Sequence, residues 1–132
     1  MLKLMNEIAV FYDVDETLIL HHTKGLASNE LYVANSDEKL LILSDPYVPE
    51  VKHCVTAHKA NVLMLKRHFA QGKATIVWSH GGVLWAETIV KVLGIEEFVT
   101  AIIPKLTTYC DDKEITKWGI TNIYQQPTGY GR

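Results

Sequence analysis

The stretch Ile8-Ala9-Val10-Phe11-Tyr12-Asp13-Val14-Asp15-Glu16-Thr17-Leu18-Ile19 decides how the chain is read. Its first five residues are apolar, with β-branched and aromatic side chains, the composition of a buried strand. That strand, expected over residues 7–12, stops at two carboxylates one residue apart. Alternate side chains of an extended chain share a face, so Asp13 and Asp15 can both point into one site at the strand's end. Two carboxylates so placed repel each other and lose hydration. A divalent cation or a catalytic task offsets that cost.

The 132 residues suit one domain, expected over 1–132. A hydrophobic fraction of 48% and a charged fraction of 21% are ordinary for a globular protein. The net charge of −2 argues against a strongly basic nucleic-acid-binding face. No apolar run approaches the roughly 20 residues of a membrane span. The opening Met1-Leu2-Lys3-Leu4-Met5-Asn6-Glu7 lacks the long apolar core of a secretion signal. Cys54 and Cys110 form neither a disulfide framework nor a metal pattern, and read as two buried thiols in a reducing compartment. The expected location is the cytoplasm, with no membrane partner.

Beyond the acidic turn, Leu31–Val33 and Leu40–Leu43 read as two arms of a β-hairpin around the polar cluster Ala34-Asn35-Ser36-Asp37-Glu38-Lys39. Pro46 and Pro49 break regular structure. Apolar spacing predicts a helix over about 56–70, stopped near Gly72. Ala74–Trp78 is a second buried strand, followed by Ser79-His80-Gly81-Gly82 and a helix over about 83–93. Further strands are expected at 98–103, 108–110 and 120–124, with a short helix at 113–118. The tail, about 125–132, carries Pro and Gly and is expected to fray.

Strands alternating with helices predict a parallel sheet with helices on both faces. Polar residues just past the carboxyl ends of such strands line the ligand crevice. Four strands are expected to end that way, at Asp13 and Asp15, at Ser79, at Lys105, and at Asp111 and Asp112. Carboxylates suit a hard cation such as Mg²⁺. The N–H groups of His80 to Gly82 open a helix and suit an anion, and Ser79 offers a hydroxyl. Lys105 adds a positive charge. The set makes a plausible phosphoryl-transfer site.

Asp13-Val14-Asp15-Glu16-Thr17 resembles the first motif, DxDxT, of the haloacid dehalogenase (HAD) superfamily. Ser79 resembles the Ser/Thr of its second motif, Lys105 the lysine of its third, and Asp111-Asp112 its acidic fourth. The order agrees from Ile8 to Tyr124. The span from Trp78 to Gly119 is similar to small phage-encoded HAD-like proteins. In one departure, the motif lysine is commonly followed by Pro, whereas here Pro104 precedes Lys105; Lys113 is the substitute candidate. The resemblance implies a Rossmann-like three-layer α/β/α fold. Its five-stranded, mainly parallel sheet has order 5-4-1-2-3 with the first strand central. A small β-hairpin flap or minimal cap is expected over about 18–55.

The resemblance also implies a Mg²⁺-dependent phosphohydrolase of phosphate monoesters. Asp13 is then the nucleophile that forms an aspartyl-phosphate, and Asp15 the general acid/base. Ser79 and Lys105 hold the phosphoryl group. Thr17 shapes the nucleophile turn, and His80 and Gly81 meet substrate. The metal falls to Asp13, the Asp15 carbonyl and Asp111, with Asp112 binding through water or orienting Lys105. The expected substrate is a phosphorylated small molecule or an end-phosphorylated nucleic acid.

Each motif has a plainer reading when taken alone. Asp-x-Asp and Asp111-Asp112 are often turn caps, Ser79 a helix N-cap, and Lys105 a surface lysine. Only their order at successive strand ends outweighs these. Adjacent His21 and His22 point apart on a strand and are placed at the flap base near substrate rather than on a metal. His53, His58 and His68 read as surface or structural, and Trp78 and Trp85 as core. Lys59, Lys66, Arg67 and Lys73 read as a solvated helix face. Flap residues Tyr32, Asn35 and Tyr47 are candidates for specificity. Two other functions are weighed. One is an inactive metal- or phosphate-binding interaction protein; the other is a metal-dependent nuclease.

Overall fold

The structure is a computed structural model describing residues 7–22 and 39–124. The elements, in order, are β1 (Ala9–Tyr12), β2 (Ile19–His21), β3 (Leu41–Ser44), β4 (Lys52–Ala57), α1 (Lys59–Ala70), β5 (Ala74–Ser79), α2 (Val83–Val92) and β6 (Ala101–Pro104). Single 3₁₀ turns occupy Glu96–Phe98 and Ile115–Lys117.

Two sheets result. A parallel sheet has the order β1-β5-β6, with Tyr12 beside Val77 and Ser79 beside Pro104. An antiparallel sheet has the order β2-β4-β3. The fold is therefore α/β, as expected, but its parallel sheet has three described strands rather than five. Among the described strands β1 lies at an edge of that sheet rather than at its centre.

Residues 108–110 and 120–124 form no strand. Asp111, Asp112 and Gly119 flank these short runs, and their tyrosine and isoleucine side chains stay mostly exposed. Strand propensity without a face to bury does not hold a strand. Of the expected hairpin, the Leu31–Val33 arm lies outside the described residues, as do Tyr32, Asn35 and the tail from 125. The Leu40–Leu43 arm is present as β3, and its described partner is β4, with Leu41 opposite Val55. β4 also pairs with β2, Ile19 opposite Ala57, so the described part of the flap is a three-stranded sheet.

β4 takes residues 56–57 that periodicity had assigned to the helix. The helix starts later because His58, in extended conformation, caps it: its Nδ1 accepts the Asn61 N–H at 3.2 Å. α2 ends one residue before the expected Leu93.

The core lies between the parallel sheet and both helices. Tyr12 and Val77 from the sheet, Leu65 from α1, and Trp85 and Ile89 from α2 belong to one buried cluster, with Val10 and Ile102 packed against it. Val14 and Leu18 bring the acidic turn into the same cluster, both fully buried. A leucine so buried is worth about 2–5 kcal/mol against alanine. Phe11 and Trp78 face the other way and stack at 4.5 Å, and Phe11 stays 45% exposed. Both helices therefore share one face, and the second helical layer of a three-layer fold is missing among the described residues. Cys54 is half-buried and Cys110 exposed, which corrects the reading of both as buried. No helix among the described residues is long and apolar enough to cross a membrane.

Two histidines tie stability to pH. Burial holds the His58 imidazole below its usual pKa, and burial together with Lys73 does the same for His68. His68 Nδ1 bonds the Tyr12 hydroxyl at 2.5 Å. Because both folded values lie below the unfolded ones, stability is complete above about pH 6.5. It declines as the pH falls through the window down to the folded values. Thermal unfolding is expected at a lower Tm at pH 5.5 than at pH 7.5. An unchanged or higher Tm at pH 5.5 would refute this.

Candidate active site

The register of the parallel sheet assembles the site. β1, β5 and β6 run side by side and end at one edge, followed respectively by Asp13, the turn after Ser79, and Lys105. Neighbouring strands lie about 4.8 Å apart, so Lys105 must reach across the β5 end, roughly 10 Å, to meet Asp13. Its Nζ lies 3.6 Å from Asp13 Oδ1, with both side chains about one-third exposed. So exposed a pair is worth about 1 kcal/mol or less to stability. Its interest is that a cation and a carboxylate from distant elements meet at the sheet's C-terminal edge.

The turn after β1 is one compact helical loop. The Val14 carbonyl accepts the N–H groups of Thr17, Leu18 and Ile19 at 3.2, 2.9 and 3.2 Å. The Thr17 carbonyl accepts the Asn61 side-chain amide at 2.9 Å, which ties the turn to α1. Glu16 adopts φ 60°, and no other non-glycine described residue has a positive φ.

Asp15 is held from two sides. The Trp85 indole N–H donates to its Oδ1 at 3.0 Å, and His21 Nε2 approaches that oxygen at 3.5 Å. Trp85 is 5% exposed, so it is core, as expected, but its polar edge faces the acidic pair. Buried tryptophans usually find such a partner. His21 stands at the flap base, where it was expected; its Nδ1 pairs with Glu16 Oε1 at 2.8 Å.

His53 was read as surface or structural. It stacks on Trp85 at 4.6 Å and bonds Asp45 Oδ2 through Nε2 at 2.9 Å. That bond, with the N–H groups of Tyr47 and Val48, holds the Asp45 carboxyl below its usual pKa. Trp85, His53 and Tyr47 were thus missed or undervalued. Only the polar handle of Trp85 and the long reach of Tyr47 hinted at them.

Ser79 is buried, and its Oγ accepts the Gly81 N–H at 2.9 Å. It caps its own turn rather than α2, whose N-cap is Gly82 at φ 99°. Tyr47 lies so close over Gly82 that any side chain there would collide with it, and its Oη accepts the Leu84 N–H at 3.1 Å. The anion seat expected at His80 to Gly82 is therefore partly filled by the protein itself. His80 and Gly81 are exposed at this turn.

Asp111 and Asp112 do not sit at a strand end. They lie in exposed coil, where Asp111 Oδ1 accepts the Lys113 N–H at 2.9 Å. Among the described residues, no group of three or more His, Cys, Asp or Glu converges as a metal cage. Asp13, Asp15, Lys105 and the Ser79 turn are gathered at one edge; Asp111, Asp112 and Lys113 are not joined to them by any described contact. Set against family models, curated proteins and solved structures, the chain matches none.

Proposed function

We propose that this chain is a Mg²⁺-dependent phosphohydrolase of the HAD type, acting on phosphate monoesters through Asp13. The observation that carries the reading is the approach of Lys105 Nζ to Asp13 Oδ1 at 3.6 Å, across a strand that ends in Ser79. A nucleophile with a cation beside it is what attack on an anionic phosphoryl group needs. The part-exposed Asp13 and Asp15 carboxylates suit a hard cation, since Mg²⁺ keeps several waters and is usually held by one or two carboxylates and substrate oxygens. Asp13 and the Asp15 carbonyl would hold it, while Asp111 and Asp112 lie apart in exposed coil. Bound there, the ion would neutralise charge on the phosphoryl oxygens.

The chain's own residues divide the remaining work. Asp13 attacks phosphorus, and the bond to the leaving oxygen breaks as Asp15 gives that oxygen a proton. Asp15 then takes a proton from water, whose oxygen attacks the aspartyl-phosphate and frees phosphate and Asp13. Lys105 and the Ser79 hydroxyl hold the phosphoryl oxygens in both steps. The substrate is a phosphorylated small molecule or an end-phosphorylated nucleic acid.

A phosphate-release panel spanning aryl phosphates, nucleotides, sugar phosphates and end-phosphorylated oligonucleotides tests this. Release is expected with Mg²⁺ and its loss with EDTA. Lys105→Met is expected to lower kcat/KM by about 10²- to 10³-fold, the usual cost of one preorganised charge on a developing anion. Lys113→Met is expected to change little; the reverse pattern would move the third-motif role to Lys113.

One observation favours a second reading. Asp111 is engaged in its own turn in exposed coil, so a catalytically weak metal- or phosphate-binding protein is the alternative. A beryllium fluoride adduct on Asp13 is expected of the enzyme; tight phosphate binding with no adduct would favour the binding protein.

A further inference from the structure

The geometry points to Tyr124 as a positioning residue for Asp15, acting through Glu16. This rests on the proposed acid/base role of Asp15. Glu16 follows Asp15 directly, and its φ of 60° sets how the chain leaves the acid. A side chain with Cβ enters that left-handed region only when its surroundings hold it there.

Three contacts do so. The Tyr124 hydroxyl donates to the Glu16 carbonyl at 3.0 Å, from 108 residues away. The His21 N–H donates to Glu16 Oε1 at 3.0 Å, and His21 Nδ1 pairs with the same oxygen at 2.8 Å. Two of these belong to the flap, next in sequence. Tyr124 alone comes from the far end of the described chain.

Its placement is specific. Residues 116–123 before it are exposed, whereas Tyr124 is half-buried, with its ring meeting the His58 imidazole edge-on at 5.3 Å. His58 is fully buried, its N–H donates to the Leu18 carbonyl at 2.9 Å, and its Nε2 has no hydrogen-bond partner. With Nδ1 accepting from Asn61, Nε2 carries the proton and can point it at the Tyr124 ring, a weak N–H···π contact. Burial and the nearby Glu16 carboxylate raise the phenol pKa, so its hydroxyl stays a donor. Tyr124, His58, Leu18 and Glu16 thus form one support behind the acidic turn, while Trp85 and His21 meet the Asp15 carboxylate from its front.

Tyr124→Phe keeps the ring on His58 and removes only the hydroxyl. Its kcat is expected to fall about tenfold on an alkyl phosphate, whose leaving oxygen needs a proton, with KM unchanged. On an aryl phosphate with an acidic phenol, the bond-breaking step should hardly change. A purely structural role would lower both alike and overturn the proposal. In a Glu16→Asn background, where the residue enters the left-handed region more readily, Tyr124→Phe is expected to cost less. An equal cost in both backgrounds would reject the route through Glu16.

Exchange of the Leu18 amide, which donates to the Val14 carbonyl, reads the support without any turnover. It should accelerate at least about fivefold in Tyr124→Phe if the hydroxyl holds the turn; an unchanged rate would overturn the proposal. Should the wild-type chain release no phosphate and form no fluoride adduct, the functional reading fails, and the exchange result alone decides whether the support exists.

Discussion

Asp13→Asn is expected to reduce Mg²⁺-dependent phosphate release by about 10⁴-fold or more, while leaving the fold intact. Asparagine matches aspartate in shape, so the turn and the buried Val14 beside it keep their packing. What is lost, on the proposed function, is the nucleophile, since an amide oxygen does not replace a carboxylate in forming an acyl phosphate. Removing a covalent nucleophile from an enzyme costs this much or more, because the other groups act only in concert with it. The lost Lys105–Asp13 pair is part-exposed, so its own stability effect stays near or below about 1 kcal/mol. Thermal unfolding of the variant should therefore match wild type. With beryllium fluoride present, fluorine NMR should find the Asp13 adduct on wild type and none on Asp13→Asn. If the variant keeps a tenth of the wild-type rate, Asp13 is not the nucleophile.

The parts of this fold that were legible are those where burial and pattern coincide. Val10, Tyr12 and Val77 are inward-facing strand residues of a one-sided core, and their apolar runs announce them. The loop from Asp13 to Ile19 was legible because two acids after such a run need an explanation. β4 was not read, because Lys52, His53, Cys54 and Thr56 dilute its apolar content and its partners lie on both sides. The opposite error arose at residues 108–110 and 120–124, where tyrosine and isoleucine carry strand propensity but the structure leaves them in mostly exposed coil. Losing the strand at 108–110 also removed the strand end on which Asp111 had been placed.

In the candidate site, the closeness of Asp13, Ser79 and Lys105 was readable because sheet topology places strand ends together. Contacts such as Trp85 to Asp15 and Tyr124 to Glu16 follow no spacing rule. They depend on where a helix and a far segment finally pack, which short-range pattern does not encode.

Asp15→Asn should separate the two halves of the reaction. An amide oxygen at position 15 can still accept the Trp85 indole N–H, so the side chain is expected to stay in place and only its proton chemistry to be lost. General acid–base groups contribute about 10²- to 10⁴-fold. The loss should not be uniform across substrates. An alkyl phosphate needs its leaving oxygen protonated, so formation of the aspartyl-phosphate should itself become slow. With 4-nitrophenyl phosphate the phenolate leaves unaided, and Asp13 can still be phosphorylated. Hydrolysis of that intermediate then lacks the base that deprotonates water. Rapid mixing should therefore show a burst approaching one equivalent of nitrophenol, followed by a steady rate lowered about 10²-fold or more. The phosphorylated chain should be recoverable by acid quench, with the phosphoryl group on Asp13. A slow rate with no burst, equal for alkyl and aryl substrates, would mean that Asp15 serves binding rather than proton transfer. The acid/base role would then pass to another group beside the turn, with His21 nearest at 3.5 Å.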